Sequence, residues 1–448
     1  MCATRRSPAE VLDKPSPPPS RPTMPRRRHV LKTLGSGAAG MLLGACTRAA
    51  RAQPSRLVVA AYPSIDQVAR AAAPAWRARH RGVGLQVISR QVGDHHTAMM
   101  TALATGSELP DVMAIEVGYL GRFALGGGLA DLAAAPIDIG AQRAHYTPYA
   151  FDQASLPRGR VVAAPCDIGP GTMLARVDLL RTAGLALPHL QGSWDDFVHA
   201  GQLLRKRTGA WLVPNARDVL DIAIRSGLGP GDGLYFDAHG RPALQSPRFV
   251  RGFELAARVR RLGLDARVQS WSPAWASGIR DGHIAVVMSG AWLAGHLASW
   301  LAPATAGRWR AAQLPAGSWS AYGGSFLAVP RRLPARRRAL AWDFVRLLTL
   351  QRKRQLAAFA SVDAFPALVD TYDDPFFDAP LPFLGGQRAR RLWRTAAWNI
   401  RAVTLHAQDD FASEVVGDAL YDVLDRGVAQ DLALRRAQHL LQQRVGQA

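Results

Sequence analysis

The stretch LPDVMAIEVGYLGRFALGGGLADL, residues 109–132, is the one from which the fold can be worked out. Within it, Asp111–Ile115 is a short and mostly apolar run, which is typical of a strand buried on both faces. Gly106 and Pro110 lie directly before this run, and both residue types mark boundaries between elements. Thr97–Thr105, just upstream, has the pattern of a helix. These residues predict a helix followed by a buried strand.

The same alternation extends toward the N-terminus. Leu57–Ala61 is another continuous apolar run, and Val83–Ser89 alternates as a second strand. Between them, Ser64 is placed to cap a helix that carries Val68, Ala72 and Trp76. Strands that alternate with helices in this way predict an α/β fold, with parallel sheets and helices on both faces.

The rest of the chain repeats the pattern without an internal repeat of solenoid length. Ser193, followed by Asp195 and Asp196, predicts a capped helix start. Further elements are expected as strands at Val161–Pro165 and Ile284–Met288, and as helices at Arg176–Ala183, around Leu340–Leu348, and within 411–445. The 448 residues are roughly twice what a single core comfortably fills, so the sequence predicts two lobes.

Composition and net charge restrict the classes of protein to which the chain can belong. Hydrophobic residues make up 48% and charged residues 20% of the chain, as in ordinary globular proteins, whereas the net charge is +21. The arginines are scattered, with the tightest clusters at Arg26–Arg28 and Arg336–Arg338. Because no base-stacking, zinc-finger or basic-zipper pattern accompanies them, we interpret the charge as a solvated basic surface and expect no nucleic acid partner.

The first fifty residues have the pattern of an export signal. Translation could start at Met1 or Met24, and the basic segment that follows Met24 precedes an apolar run ending at Ala45. Arg27–Lys32 resembles the twin-arginine motif. Leu43–Cys46 resembles a lipobox, which implies a lipid anchor on Cys46; cleavage after Ala50-Arg51-Ala52 would instead release a soluble protein. We therefore assign residues 1–45 to a leader and 46–56 to a linker.

The cysteines give little support to the fold. Cys2 and Cys46 lie in the leader and at its end, so the body contains Cys166 alone. No intrachain disulfide is expected there. Cys166 is interpreted as a small packed residue, with a reactive thiol as the alternative.

Four segments, taken in order and spacing over about residues 55–445, resemble the family 1 extracellular solute-binding proteins, the sugar-type receptors of bacterial ABC importers. Each segment alone is weak. They are 109–113 with 123–132; 159–165 with 179–185 and 193–197; 284–295, which contains Ser289-Gly290-Ala291-Trp292; and 321–330 with 341–345.

This resemblance implies a two-lobed type II periplasmic-binding fold with discontinuous lobes. By analogy, the N-terminal lobe is expected from 57–165 and 288–325, and the C-terminal lobe from 166–287 and 326–448. The family's mechanism is hinge closure around a small ligand. The resemblance further implies a periplasmic or cell-surface monomer that delivers a sugar or related polyol to a membrane permease, without a cofactor and without enzymatic activity.

A sugar-binding cleft needs flat aromatic rings for the apolar face and fixed acceptors for the hydroxyl groups. Ligands of α/β sheets bind beyond the carboxyl ends of the strands. Residues of suitable type that follow predicted strands, or lie in segments matched by the resemblance, are Tyr62, Asp66, Glu116, Asp167, Trp275, Trp292, Tyr322, Gly323, Gly324 and Ser325. Tyr119 and Trp271 are further candidates.

Three alternatives remain. The basic charge would suit an anionic ligand, such as a glycerol phosphodiester or a charged saccharide, because arginine binds phosphate and carboxylate in bidentate fashion. A surface lipoprotein that binds no small molecule is the second. Asp94-His95-His96 could suggest a metal, but no second cluster with ligand spacing accompanies it, and the chain lacks HExxH, GxSxG and P-loop motifs. We therefore expect no metal and no catalytic residue.

Overall fold

The computed structural model describes residues 55–446. The features predicted for the leader, including Cys46, lie outside these residues. Within 55–446, no helix combines the length and the apolar character needed to cross a membrane.

Eight strands form one connected sheet system. In chain order they are β1 Ser55–Ala61, β2 Val83–Ser89, β3 Val112–Glu116, β4 Ala164–Arg176, β5 Val286–Gly290, β6 Trp309–Ala312, β7 Ala321–Ala328 and β8 Phe365–Pro366.

Sixteen α-helices, among the described residues, cover the sheets. They are α1 Ile65–Ala71, α2 Ala73–Arg79, α3 Val92–Thr105, α4 Leu120–Leu125, α5 Pro148–Gln153, α6 Val177–Thr182, α7 Trp194–Thr208, α8 Ala216–Ser226, α9 Pro247–Arg261, α10 Pro273–Arg280, α11 Leu293–His296, α12 Ala335–Thr349, α13 Arg352–Val362, α14 Ala389–Asn399, α15 Asp409–Asp425 and α16 Gln430–Gly446. A π-helical turn, Leu297–Leu301, directly follows α11.

Several local predictions are confirmed. β1, β2 and β3 match the predicted runs to within two residues, and the apolar side chains of β3 are buried. At the start of α7, the Ser193 hydroxyl accepts the Asp196 N–H (3.0 Å), while the Asp196 carboxylate accepts the Ser193 N–H (2.9 Å). This reciprocal pair is a capping box, and it confirms the capped helix start that the sequence predicts at Ser193.

Two local predictions are wrong. Ser64 has a φ of 75° and its side chain makes no capping hydrogen bond to α1, because a left-handed residue cannot direct its hydroxyl as an extended N-cap does. The strand predicted at Val161–Pro165 begins only at Ala164, since Val161 forms an isolated bridge with Ser155 instead of joining the sheet.

The sheet is mixed and not parallel throughout. Its strand order is β2-β1-β3-β7-β4-β5, and only the β1–β2 and β1–β3 pairs are parallel. β7 is antiparallel to both β3 and β4 because it returns from the second half of the molecule. The expectation of parallel sheets therefore holds for the first three strands and fails beyond them.

β4 joins the two halves of the molecule. Its first part, up to Pro170, pairs with β7, and Asp167 and Ile168 also pair with β8. From Gly171 onward it pairs with β5 and then with β6. A single 13-residue strand thus belongs to two sheets, so the backbone geometry of one sheet is transmitted to the other.

The buried residues form two clusters. The first contains residues of β1, β3 and helices α12, α13 and α14. In this cluster Trp76 packs against Phe344, with ring centroids 5.5 Å apart. The second gathers α7, α8, α9, α15 and α16. In the second part of β4, Leu174 belongs to the first cluster, whereas Met173 and Ala175 belong to the second.

This arrangement differs from the lobe boundaries expected from the sequence. β5 and β6 pair with the second part of β4, although residues from 288 were expected in the N-terminal lobe. Conversely, α12 and α13 pack with the first cluster, although 326–448 was expected in the C-terminal lobe. We therefore propose a first lobe of about 55–167 with 326–400, and a second lobe of about 170–322 with 401–446.

The contact between α12 and β1 is anchored by a buried charge. Asp111, whose side chain is fully buried, accepts the Val58 N–H (2.7 Å) and the Arg337 Nε–H (2.7 Å). A buried carboxylate is tolerated only when its charge and lone pairs are satisfied in this way. Arg337 therefore fixes α12 to the amino ends of β1 and β3 in the first sheet.

We predict that Arg337→Met lowers the free energy of unfolding by about 2–3 kcal/mol, because Asp111 loses its counter-charge while remaining buried. Arg336→Met is the matched control, since Arg336 is exposed on the same turn, and it should change stability by less than about 0.5 kcal/mol. Urea denaturation followed by circular dichroism measures both. Equal losses for the two variants would contradict the assigned role of the ion pair.

Candidate functional site

A cavity of about 1010 Å³ lies between the two lobes. One wall is formed by Val117–Tyr119 and Arg122, which follow β3. The opposite wall comes from the end of α8 and the loop after it, including Arg225 and Tyr235. The segment 316–323, which leads into β7, and parts of 399–414 complete the lining.

The first wall is held by two buried histidines. The His96 Nε2 accepts the Glu116 N–H (3.0 Å), so its proton is on Nδ1, which donates to the Val92 carbonyl (2.6 Å). Burial lowers the pKa of His96 to about 4, which keeps the ring neutral. Tyr119, on the cavity wall, stacks on this ring with centroids 3.9 Å apart.

His95 and His96 therefore support the wall of the cavity. The His95 Nε2 lies 2.7 Å from the Ala114 carbonyl of β3, and both ring nitrogens of His96 are engaged in hydrogen bonds. Within residues 55–446, no group of three or more His, Cys, Asp or Glu side chains is arranged to hold a metal ion.

Four of the residues predicted for the site come together where β1, β3, β4 and β7 meet: Tyr62, Glu116, Asp167 and Ser325. Burial, with a smaller effect from the nearby charge of Asp167, raises the pKa of Glu116 to about 7, although the Gly118 N–H donated to its carboxylate (2.7 Å) opposes the shift. Burial likewise raises the pKa of Asp167 to about 6, although Ser325 opposes the shift. One oxygen of Asp167, Oδ1, is buried without a hydrogen-bond partner among the described residues.

Arg225 supplies the positive charge on the other side of the cavity. Its Nη1 donates to the Asp221 carbonyl (2.8 Å), and its guanidinium lies over the Tyr322 ring, 5.4 Å from the centroid. The same charge lowers the pKa of Glu116, which belongs to the first lobe. Arg225 thus interacts electrostatically across the cleft with the carboxyl group of Glu116.

Tyr322 and Trp292 are joined through the backbone. The Trp292 indole N–H donates to the Tyr322 carbonyl (3.0 Å). Gly169 makes this geometry possible, because a Cβ at that position would lie 2.0 Å from the same carbonyl oxygen. Gly323 has a φ of 83°, a conformation that favours glycine, and it lines the cavity.

The remaining predicted residues have other environments. Gly324 pairs with Ile168 in the β4–β7 ladder, and Asp66 lies on α1, 3.7 Å from Arg70 one turn later. Trp275 is only 2% exposed and packs against Trp271, which itself stacks on Trp292 at 5.8 Å. None of the predicted tryptophans lines the cavity, whereas the predicted residues Gly323 and Tyr119 do.

Several cavity residues were missed by sequence reasoning. They are Arg225, Tyr235, Trp319, Asp409 and Glu414. Trp319 carries the clearest signal, since it is an aromatic residue two positions before the predicted segment that starts at Ala321. The others lie on helices or in loops whose neighbours are known only from the folded structure.

The segment around residues 400–410 connects the two lobes at the cavity. The Arg122 Nη1 on α4 forms an ion pair with Asp410 (2.9 Å), and the His406 ring stacks on Phe236 at 3.6 Å. A Cβ on Gly121 would lie 2.3 Å from the His406 carbonyl oxygen, so α4 approaches this segment closely. The described conformation therefore has the lobes in contact across the cleft.

Asp409 is a buried acidic residue that lines this wall of the cavity. Its Oδ2 accepts the His406 N–H (2.8 Å), whereas its Oδ1 is buried without a partner among the described residues. Burial raises the pKa of Asp409 to about 7. A buried oxygen with a free lone pair beside a cavity can accept a hydrogen bond from a ligand hydroxyl group.

Comparisons with known proteins place these observations in a family. The model described as "Bacterial extracellular solute-binding protein" matches residues 60–352. No curated protein matches the chain. Similar solved structures include an extracellular solute-binding protein family 1 structure, with a TM-score of 0.76 and 22% identity over 86% of this chain and 98% of that one.

Two further similar structures contain sugars. The ABC transporter associated binding protein from B. animalis subsp. lactis Bl-04, in complex with beta-1,6-galactobiose, has a TM-score of 0.70 and 22% identity over 86% of this chain and 96% of that one. Maltose-bound MalE3 of T. maritima has a TM-score of 0.71 and 18% identity over 87% and 99%. At these identities the likeness establishes a two-lobed α/β binding-protein fold.

The raised pKa of Glu116 predicts a pH dependence of stability. Its carboxyl has an ordinary value of 4.5 and titrates near 7 in the folded chain, so the folded state holds the proton more tightly than the unfolded state does. The stability that this group contributes is present at low pH and is lost as the pH rises from about 4.5 to about 7.

Glu116→Gln should therefore stabilise the protein by roughly 1–3 kcal/mol near pH 8 and have little effect near pH 4. The measurement is the thermal unfolding midpoint of both proteins across this range. Glu254→Gln, at an exposed position on α9, is the control and should change the midpoint little. If Glu116→Gln gives a pH-independent shift, the carboxyl is not destabilised by burial.

Proposed function

The chain belongs to the bacterial extracellular solute-binding proteins, and on that basis we propose that it captures a neutral sugar or polyol in the cleft and delivers it to an ABC importer. The family consists of substrate-binding receptors, so the chain is a receptor and not an enzyme. The observation that carries the proposal is the cavity between the lobes, which presents aromatic residues together with unpaired oxygen acceptors.

The lining suits a sugar. Tyr119 from the first lobe and Trp319 from the segment before β7 supply aromatic surface for the apolar face of a pyranose ring. Asn399, Ser413 and the carboxylates of Asp409 and Glu414 supply hydrogen-bonding groups for its hydroxyls. The volume is at the upper end of the range for small-molecule sites, which leaves room for more than one sugar unit.

The charges on the wall favour a neutral ligand over the anionic alternative. Arg122 is already paired with Asp410, and Arg225 lies 3.8 Å from Asp221. Arg401 donates to the Leu228 carbonyl (3.1 Å). Two of the three cavity guanidinium groups therefore have carboxylate partners, whereas Glu414 adds negative charge, so an anion would meet repulsion as well as attraction.

Closure of the two lobes would couple binding to delivery. The Arg122–Asp410 ion pair and the approach of Gly121 to His406 are contacts that exist only while the lobes are close. A ligand that touches both walls stabilises this state relative to an open one, as the mechanism requires. β4 and β7, which belong to both lobes, are the segments about which we propose that the lobes rotate.

Location and anchoring follow as proposals from the leader. The family is extracellular, which implies a periplasmic or cell-surface location. We propose that the twin-arginine-like segment after Met24 directs export and that Cys46 carries a lipid anchor, with cleavage after Ala52 as the alternative. The receptor would act as a monomer beside its permease.

A sugar screen tests the proposed function. At a concentration of 100 times its dissociation constant, a ligand should add about 2.7 kcal/mol to the stability of the folded chain. We expect a raised thermal midpoint with at least one neutral mono- or oligosaccharide. A shift with glycerol phosphodiesters or uronic-acid oligosaccharides alone would favour the anionic alternative, and no shift with any member of the panel would contradict the receptor function.

Trp319→Ala should weaken binding of the sugar found in this screen by about ten-fold, because the variant removes an aromatic surface from the cavity wall. The matched control is Trp300→Ala, since Trp300 is 57% exposed and does not line the cavity. Isothermal titration calorimetry measures both affinities. Unchanged affinity in Trp319→Ala, with an intact unfolding midpoint, would remove Trp319 from the site.

A further inference from the structure

The loops at one end of the first sheet are rich in arginine. The sheet topology brings together the start of β1, the α2–β2 connection, the α3–β3 connection and the segment that follows β7. The strand register supports this grouping, because Arg56 in β1 pairs with Gly84 in β2. A hydrogen bond from the Arg337 Nη2 to the Arg56 carbonyl (3.3 Å) brings the segment after β7 to the same place. We call this end the amino pole, since β1, β2 and β3 all begin there.

Six exposed arginines lie at the amino pole: Arg56, Arg79, Arg81, Arg331, Arg332 and Arg336. The ion pairs of this region join Arg337 to Asp111 and His80 to Asp343, and none of the pairs among the described residues uses any of the six. Glu108 is the exposed carboxylate on the same loops. The pole therefore carries a strong local excess of positive charge that the fold itself does not neutralise.

The amino pole is distant from the ligand site. The cavity is lined by residues that follow the carboxyl end of β3, such as Gly118 and Tyr119. The arginines of the pole lie at the opposite end of the strands, near the starts of β1 and β2 or after the end of the antiparallel strand β7. No arginine of the pole lines that cavity. Its charge is therefore available to a partner other than the transported ligand.

The position of the leader identifies the partner. β1 begins at Ser55, only nine residues after Cys46, and nine residues span at most about 30 Å when fully extended. A chain held at a membrane through its leader would therefore keep the amino pole within reach of lipid headgroups. Arginine binds phosphate oxygens in bidentate geometry, and anionic leaflets attract clusters of basic residues.

We propose that the amino pole docks on anionic phospholipid headgroups and holds the receptor at the membrane surface with its cleft directed away from the bilayer. This proposal rests on the proposed attachment of the leader to the membrane and not on the identity of the ligand. Exposed charges attract over about one Debye length, so the contact is weakened by salt and can be released when the receptor meets its permease.

Vesicle co-sedimentation tests this docking. The full chain with Cys46→Ala, which removes the acylation site, is mixed at low ionic strength with vesicles of phosphatidylcholine alone or of phosphatidylcholine and phosphatidylglycerol in equal parts. We expect binding to the anionic vesicles and not to the neutral ones. Adding Arg331→Glu, Arg332→Glu and Arg336→Glu should weaken this binding by about a hundred-fold.

The matched control carries Arg251→Glu, Arg261→Glu and Arg436→Glu, an equal charge change at exposed positions on α9 and α16. It should bind nearly as the parent does. Equal losses in the two triple variants would mean that only net charge matters, and absence of binding to anionic vesicles would overturn the proposal directly. Tighter binding to soluble polyphosphate than to vesicles, with the same dependence on the pole, would replace the membrane by a soluble polyanion. The sugar screen is independent of these outcomes.

Discussion

The antiparallel pairing of β4 with β7 is the constraint on which the rest of the structure depends. Because β4 continues from the first sheet into the second, the two lobes share a hydrogen-bonded segment. The approach is close enough that Gly169 cannot carry a side chain, and Trp292 uses the same Tyr322 carbonyl as its hydrogen-bond acceptor. Asp167 and Ser325 lie opposite each other in this ladder, beside Glu116 at the end of β3. The shared pair therefore determines both where the lobes can rotate and which polar groups lie at the base of the cleft.

Burying carboxyl groups near the β4–β7 pair is energetically unfavourable, and the structure compensates for this differently at different residues. Asp111 is offset by Arg337 and by a backbone N–H, so its charge is satisfied inside one lobe. Glu116 and Asp167 lack a direct cationic partner, and burial raises the pKa of both. The charge that favours ionised Glu116 belongs to Arg225, in the other lobe. Since that attraction depends on the distance between the lobes, the protonation of Glu116 and the opening of the cleft are linked.

The sequence predicts the elements of this fold better than their assembly. Runs such as Leu57–Ala61 and the capping box at Ser193 depend on local chemistry, so they could be recognised without the structure. The lobe boundaries could not, because a strand such as β5 gives the same apolar pattern in either sheet. The prediction of aromatic ligand-binding residues failed for a similar reason. Trp275 is buried among other side chains while Trp319 lines the cavity, and the residue type alone does not distinguish these two environments. Arg225 lies inside the long amphipathic helix α8, where an arginine normally marks a solvated face.

The position of each arginine, and not the net charge of +21, determines what the charge can do. Two of the three arginines that line the cleft lie beside carboxylates, as Arg122 does with Asp410, and this pairing offsets part of their charge. Arginines at the amino pole are exposed to water and need no internal partner, so their charge remains available at the surface. The basic composition therefore gives no information about the charge of the transported ligand. It reports on the outer surface, where a positive field acts on large anionic partners before any contact is made.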